Sequence, residues 1–223
     1  MIIAQANDAF FRWDWVFGHL DDIRDKVVEH LVLTGIALGV GLAISIVLAL
    51  IGLRFRRAYP PITWITGTFY TIPSLALFAF LVPITGFTLL SAEIGLVSYT
   101  LLILIRNIVA GIDGVDPAVR EAAAGMGYGR RRLFLEIELP LALPVIVAGL
   151  RIAAVTTVGL VTVTALIGQG GVGFFILDGL NRFFSTEIVL GTALAVIIAV
   201  TIDVGLVLVE RALTPWARSR KSA

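Results

Sequence analysis

The chain has 223 residues, 58% hydrophobic and 15% charged, with a net charge of +1 and a mean hydropathy of +0.98. Soluble domains average about 45–50% apolar and about 25% charged residues, so the composition excludes an ordinary soluble globule, and the near-neutral balance offers no basic field for nucleic acid. Cysteine is absent, which excludes disulfides, thiolate metal sites and Cys-linked lipid anchors.

In chain order, the first residues, MIIAQANDAFFRWDWVF, lack a basic stretch leading into an apolar core and do not read as a signal peptide. Residues 1–30 are expected to form an outer segment. Within it Val16, Leu20, Ile23, Val27 and Val28 share one helical face, predicting an interfacial amphipathic helix that feeds the first span. His19 and His30 are too isolated to suggest a metal site. A membrane domain is expected over 31–209. A span needs about 20 mostly apolar residues. Five segments qualify, at about 31–53, 62–84, 89–110, 141–167 and 188–209, and a tail follows at 210–223.

The first span carries Gly35 and Gly39, a small-residue pair four apart that predicts close helix packing. The second is interrupted by Pro73, next to Ser74, and closed by Pro83. A break there suits either a packing kink or a helix lining a path. The third holds Glu93, expected to reach the outer interface. Spans four and five contain Arg151 and Asp203 at similar depth. They are a candidate intramembrane ion pair, either locking two helices or facing a transport path. Between those spans IGQGGVGFF places four glycines between Gly168 and Gly173. No GxxxxGK[ST] occurs in the chain, so the stretch reads as a re-entrant or gating turn at Gly168, Gly170 and Gly171, not a phosphate loop.

Five spans put the termini on opposite sides. With the C-terminus inside, Arg54, Arg56, Arg57, Arg120, Arg130, Arg131, Arg132, Arg211, Arg218, Arg220 and Lys221 lie in inner segments. Arg12, Arg24, Lys26 and Arg182 lie outside. Eleven against four predicts N-out, C-in.

The inner loop 111–140 is therefore expected in the cytoplasm. Asp116-Pro117 is a helix start. The helix-forming run Ala118 to Ala124 ends in Gly125 and Gly127. A second amphipathic piece carries Leu133, Phe134, Ile137 and Leu139, with Pro140 expected to stop it and Pro144 to open span four. The small-residue face of Ala122 and Ala123 permits close approach by another backbone, which suits a docking partner; a helix resting on lipid headgroups fits the composition equally well.

Glu121-Ala122-Ala123, Gly125, Gly127 and Ile137-Glu138-Leu139-Pro140 resemble the EAA motif of membrane permease subunits of ABC importers. The likeness runs from about His30 to the end of span five. The stretches TIPSLALFAF, SYTLLILIRNIVAGIDGVDP and LPLALPVIVAGLRIAAVTTVGLVTVTALIGQGGVG are similar to the branch importing glycine betaine, carnitine and choline. The resemblance implies an all-α, five-span type I ABC importer permease fold in a prokaryotic cytoplasmic membrane. It further implies that Glu121, Ala122, Ala123, Gly125, Gly127, Ile137, Leu139 and Pro140 couple to a separate ATPase. ATP and Mg would then lie on that partner, with no cofactor or catalytic residue in this chain. A second permease copy or homologue and an extracytoplasmic substrate-binding protein would complete the assembly. The rival readings are a permease for another small solute such as an amino acid, a secondary transporter or channel, an intramembrane enzyme, and a purely structural membrane protein.

Overall fold

A computed structural model describes residues 10–217. The basic residues Arg218, Arg220 and Lys221 of the expected tail, and the first nine residues, lie outside the described part. Among the described residues every regular element is helical. α1 is Trp13–Gly18, α2 Leu20–Arg54, α3 Tyr59–Thr71, α4 Ser74–Thr85 and α5 Leu89–Asp113. α6 is Pro117–Gly125, α7 Arg130–Leu133, α8 Leu139–Val163, α9 Gly173–Arg182 and α10 Ser185–Leu213. α2, α5, α10 and the run Arg130–Ile167 are long and apolar enough to cross a membrane; α3 and α4 supply a fifth span if counted as one.

Several boundaries depart from the sequence reading. The expected interfacial helix is not separate. Its residues from Leu20 onward are the first turns of the 35-residue α2, because nothing between His30 and Leu31 breaks the hydrogen-bond ladder. The only interruption is at His19, which leaves helical geometry (φ −124, ψ 27). Pro83 lies inside α4, and Gly86 (φ 77) ends that helix. Pro140 and Pro144 do not interrupt the fourth span. Five residues, Phe134–Glu138, form a π-turn in which Leu139 N–H donates to the Phe134 carbonyl. The widened turn absorbs the proline ring and its missing donor, so the helical run continues. The helix α9, between the glycine turn and span five, was not anticipated; its apolar residues are diluted by Asp178, Asn181 and Arg182.

The chain divides into two compact units. One holds the described residues among 1–36 with Pro73–Leu96 and Val158–Val200. The other holds Ala37–Ile72, Val97–Thr157 and the described residues from 201 onward. The second unit is built on a stripe of small residues. Ala37, Gly41, Ser45 and Ala49, four apart on α2, are all buried. A side chain at Gly41 would strike Thr100 on α5, and one at Gly149 would strike Asn107. Close approach puts Ala49, Ile105, Ile108 and Val109 into one apolar cluster. Within this chain the buried stripe is not the Gly35–Gly39 pair. Gly35 and Gly39 are exposed, with no atom within 4 Å of an added Cβ. In the first unit Gly179 packs on Ile188 and Gly191 on Val172 and Ile176, which lays α9 along α10. Trp15 meets Phe175 and Phe184 edge-on at 6.3 and 5.5 Å.

Candidate functional site

The loop between α5 and α8 is a built surface. Asp116 caps α6: its Oδ1 accepts the Ala118 N–H at 2.8 Å. The far end closes with Gly127 N–H donating to the Ala124 carbonyl (3.0 Å) and Tyr128 N–H to the Ala123 carbonyl (3.1 Å). That pairing requires a left-handed residue, and Gly127 supplies it with φ 84. Gly125 differs. It is the last helical residue of α6, and an added Cβ there would meet nothing of this chain within 4 Å. Only Gly127 therefore terminates the helix by its backbone.

α6 is held from below by one side chain. Arg120 Nε donates to Glu138 Oε1 at 2.6 Å, and its Nη2 donates to the Ile112 carbonyl. One guanidinium thus ties α6 to the π-turn and to the end of α5. Nearby, Arg56 forms a two-pronged bond to Asp113 at 2.7 and 2.6 Å. Neither pair was foreseen, because partners 18 and 57 residues apart leave no local pattern. With α6 so fixed, Ala123 faces inward and is 2% exposed. Glu121, Ala122, Ala124, Gly125 and Met126 face outward. The expected alanine face is thus split: Ala122 is available to a partner and Ala123 is not. Ile137, Leu139 and Pro140 are half-buried in the π-turn and the start of α8.

Arg151 and Asp203 meet. Nε donates to Oδ1 at 2.8 Å and Nη2 to Oδ2 at 3.0 Å, the fork geometry that favours arginine over lysine. Glu210, two turns further along α10, adds a second carboxylate 3.8 Å from Nη1. This third member escaped the sequence reading because it lies just past the expected end of the span at residue 209, where a charge is not costly.

The second span is broken, not merely kinked. Ile72 and Pro73 are both extended, with ψ 129 and ψ 132. Proline disfavours helical geometry in the residue before it, and the Pro73 carbonyl opens α4 by accepting Leu77 N–H at 3.0 Å. The freed Ile72 carbonyl is taken by the Tyr99 hydroxyl, so the break is a satisfied feature. Ser74 is the first residue of α4.

The glycine turn is clamped. Gly168, Gly170 and Gly171 all have positive φ, and Gly170 and Gly171 are buried. A Cβ on Gly171 would meet the Cβ, Cα and N of His30 at 2.5–2.7 Å. The successive N–H groups of Gly170 and Gly171 both donate to Glu29 Oε1, at 2.9 and 3.1 Å. Lys26 holds the other oxygen at 2.7 Å. Glu29 was missed because a lone Glu in an amphipathic pattern looks like any solvent-facing charge. Glu93, expected at the interface, is instead buried, and neither oxygen meets a hydrogen-bond partner among the described residues. It shares a face of α5 with buried Ala92 and Leu96, which turns it inward.

Comparison with known proteins identifies the family and the fold. Residues 30–219 match the family profile of the binding-protein-dependent transport system inner membrane component. The choline transport system permease protein OpuBB of Bacillus subtilis is 34% identical over 195 residues, 87% of this chain and 90% of that protein. The glycine betaine/carnitine/choline transport system permease protein OpuCB of the same organism is 33% identical, covering 85% and 88%. The osmoprotectant import permease protein OsmW of Salmonella typhimurium is 31% identical, covering 84% and 89%. Among solved structures, an inward facing conformation of the MetNI methionine ABC transporter superposes with a TM-score of 0.72 at 19% identity, over 92% of this chain and all of that one. An amino acid ABC transporter with histidines does so with 0.72 at 17%, over 90% and 98%. Matching the family along most of its length and sharing the type I importer fold, the chain belongs to the inner-membrane permease components of binding-protein-dependent ABC transport systems.

Proposed function

We propose that this chain forms one transmembrane half of an importer for quaternary amine osmoprotectants of the choline, carnitine and glycine betaine class. The similar permeases that carry those substrates in their names support the reading, at 31–34% identity over most of both chains. The likeness to methionine and other amino acid transporters, below 20% identity, speaks for fold alone. A second permease, identical or homologous, would complete the path, and an extracytoplasmic receptor would deliver substrate. ATP would be bound and hydrolysed by separate ATPase subunits, so this chain would carry no reaction of its own. The membrane would be the bacterial inner membrane, with the N-terminus outside and the α6 loop in the cytoplasm.

The observation that carries the coupling role is the outward tip of α6. Met126 is 70% exposed, and Gly125 has open space above it. Yet the helix beneath is capped at both ends and fixed by Arg120. A rigid helix with a bare, small-residue tip suits insertion into a groove of another protein. ATPase closure would then move α6 as a lever and shift the spans between two packings.

The test is co-purification with the ATPase, followed by hydrolysis assays with receptor present and a substrate panel. Choline, carnitine and glycine betaine should stimulate hydrolysis; methionine and histidine should not. Stimulation by an amino acid alone would overturn the substrate class. Transport that persists without any ATPase would overturn the coupling reading.

A further inference from the structure

The second unit contains a cleft of about 690 Å³ beside the brace of the coupling helix. Leu50 and Leu53, in the last turns of α2, line it together with Leu133 and Phe134. Its rim is basic. Arg56 and Arg120 line it but are neutralised by Asp113 and Glu138. Arg54, Arg130 and Arg131 line it with no carboxylate paired to them among the described residues. After pairing, the lining keeps three cations beside these apolar side chains.

We propose that this cleft is a binding site for an anionic phospholipid of the bilayer. An acyl chain would lie on the leucines and Phe134, and the phosphate would sit among Arg54, Arg130 and Arg131. A water-soluble anion satisfies only half of this lining. The apolar half starts in the last turns of α2, a helix long and apolar enough to cross a membrane, and Leu50 there is 42% exposed. Unpaired arginine at the cytoplasmic end of transmembrane helices is the recurrent recognition chemistry for acidic headgroups, and its planar fork suits phosphate. Arg130 and Arg131 follow directly on the turn that closes α6. A lipid bound there would brace the coupling helix from the membrane side, so anionic lipid would raise transport independently of which solute is carried. The proposal rests on the membrane location of the chain, not on the substrate class.

The test is native mass spectrometry of the detergent-purified permease–ATPase complex titrated with dioleoyl phosphatidylglycerol or dioleoyl phosphatidylcholine. The unaltered complex should prefer phosphatidylglycerol by at least about tenfold. Arg130→Gln/Arg131→Gln should lose roughly 30-fold of that affinity. Arg57→Gln, an exposed arginine outside the cleft, should lose none. Equal binding of the two lipids by the unaltered complex would overturn the proposal, and this arm stands even if the double variant fails to assemble. Displacement of phosphatidylglycerol by millimolar inorganic phosphate would assign the site to a free anion instead. Unchanged lipid binding with loss of ATPase from the double variant would assign the arginines to the protein partner.

Discussion

Replacing Glu29 by alanine strips the acceptor from two consecutive buried N–H groups, those of Gly170 and Gly171. Hydrogen bonds to a charged acceptor contribute about 1.5–3 kcal/mol each. The Glu29 side chain is 28% exposed, so water can partly replace it, and about 2 kcal/mol for both bonds together is the appropriate figure. That is roughly a 30-fold rise in the open population of the turn. Hydrogen–deuterium exchange of peptides covering residues 168–173 reads this directly, since local opening governs exchange there. Glu29→Gln keeps a neutral acceptor of about half the strength and should raise exchange only severalfold. Lys26→Met removes the ion pair but not the turn contacts, and should leave exchange near the unaltered value. If Glu29→Ala exchanges within twofold of the unaltered protein, the carboxylate does not hold the turn. The clamp would then have to come from the packing of Gly171 on His30.

Gly171→Ala meets that packing head-on: φ 50 and the His30 backbone 2.5–2.7 Å away leave no room for a methyl group. Membrane yield and melting temperature should fall clearly, and a normal melting curve would show the turn to be adaptable. Gly125→Val should leave membrane yield unchanged, because open space surrounds the site. It should separate ATP hydrolysis from uptake, and normally coupled transport in vesicles would remove this glycine from the contact. Arg120→Ala removes the tie between α6, the π-turn and α5; retention of ATPase on affinity-purified permease should drop about tenfold, and full retention would show that the cap and turn suffice. Arg151→Asp should reduce membrane yield by setting three acidic groups together, and the exchanged pair Arg151→Asp/Asp203→Arg should recover part of it. Absence of any recovery would make Glu210, not Asp203, the dominant partner.

What was legible in the sequence was whatever repeats locally. Hydropathy located the long apolar helices to within a few residues at most ends, because twenty apolar residues in a row have few other fates. The helix start at Asp116-Pro117 and the left-handed turn at Gly127 follow from single-residue chemistry. Arg151 and Asp203 were paired by depth and sign, since charge inside a span needs a partner wherever it sits. Three kinds of feature were not legible. Prolines were read as stops, but the π-turn at Phe134–Glu138 lets the helix pass Pro140, and nothing in the residues announces a widened turn. Small residues were read by the familiar Gly35–Gly39 spacing, whereas the buried stripe Ala37, Gly41, Ser45 and Ala49 mixes three residue types. Which face is buried depends on where α5 lies, and that is tertiary information.

Charged residues with distant partners formed the third gap, and they matter most for the site. Glu29, Arg56, Arg120 and Glu210 look like unremarkable surface charges in one dimension, yet each fastens a segment to a helix far away in the chain. They share a logic. A permease that switches between two packings needs its moving parts rigid and its joints few. Arg120 makes the α6 loop rigid, and the fork of Arg151 on Asp203 ties α8 to α10. Glu29 fixes the glycine turn through bonds that a modest free energy can open. By this argument the Glu29 clamp, which holds the turn through a single oxygen and is partly open to water, is the joint, and the doubly bonded arginines are the rigid members. Exchange at residues 168–173 should therefore change between nucleotide-free and ATP-trapped complexes, while the Arg120-braced stretch 117–138 keeps its internal protection in both.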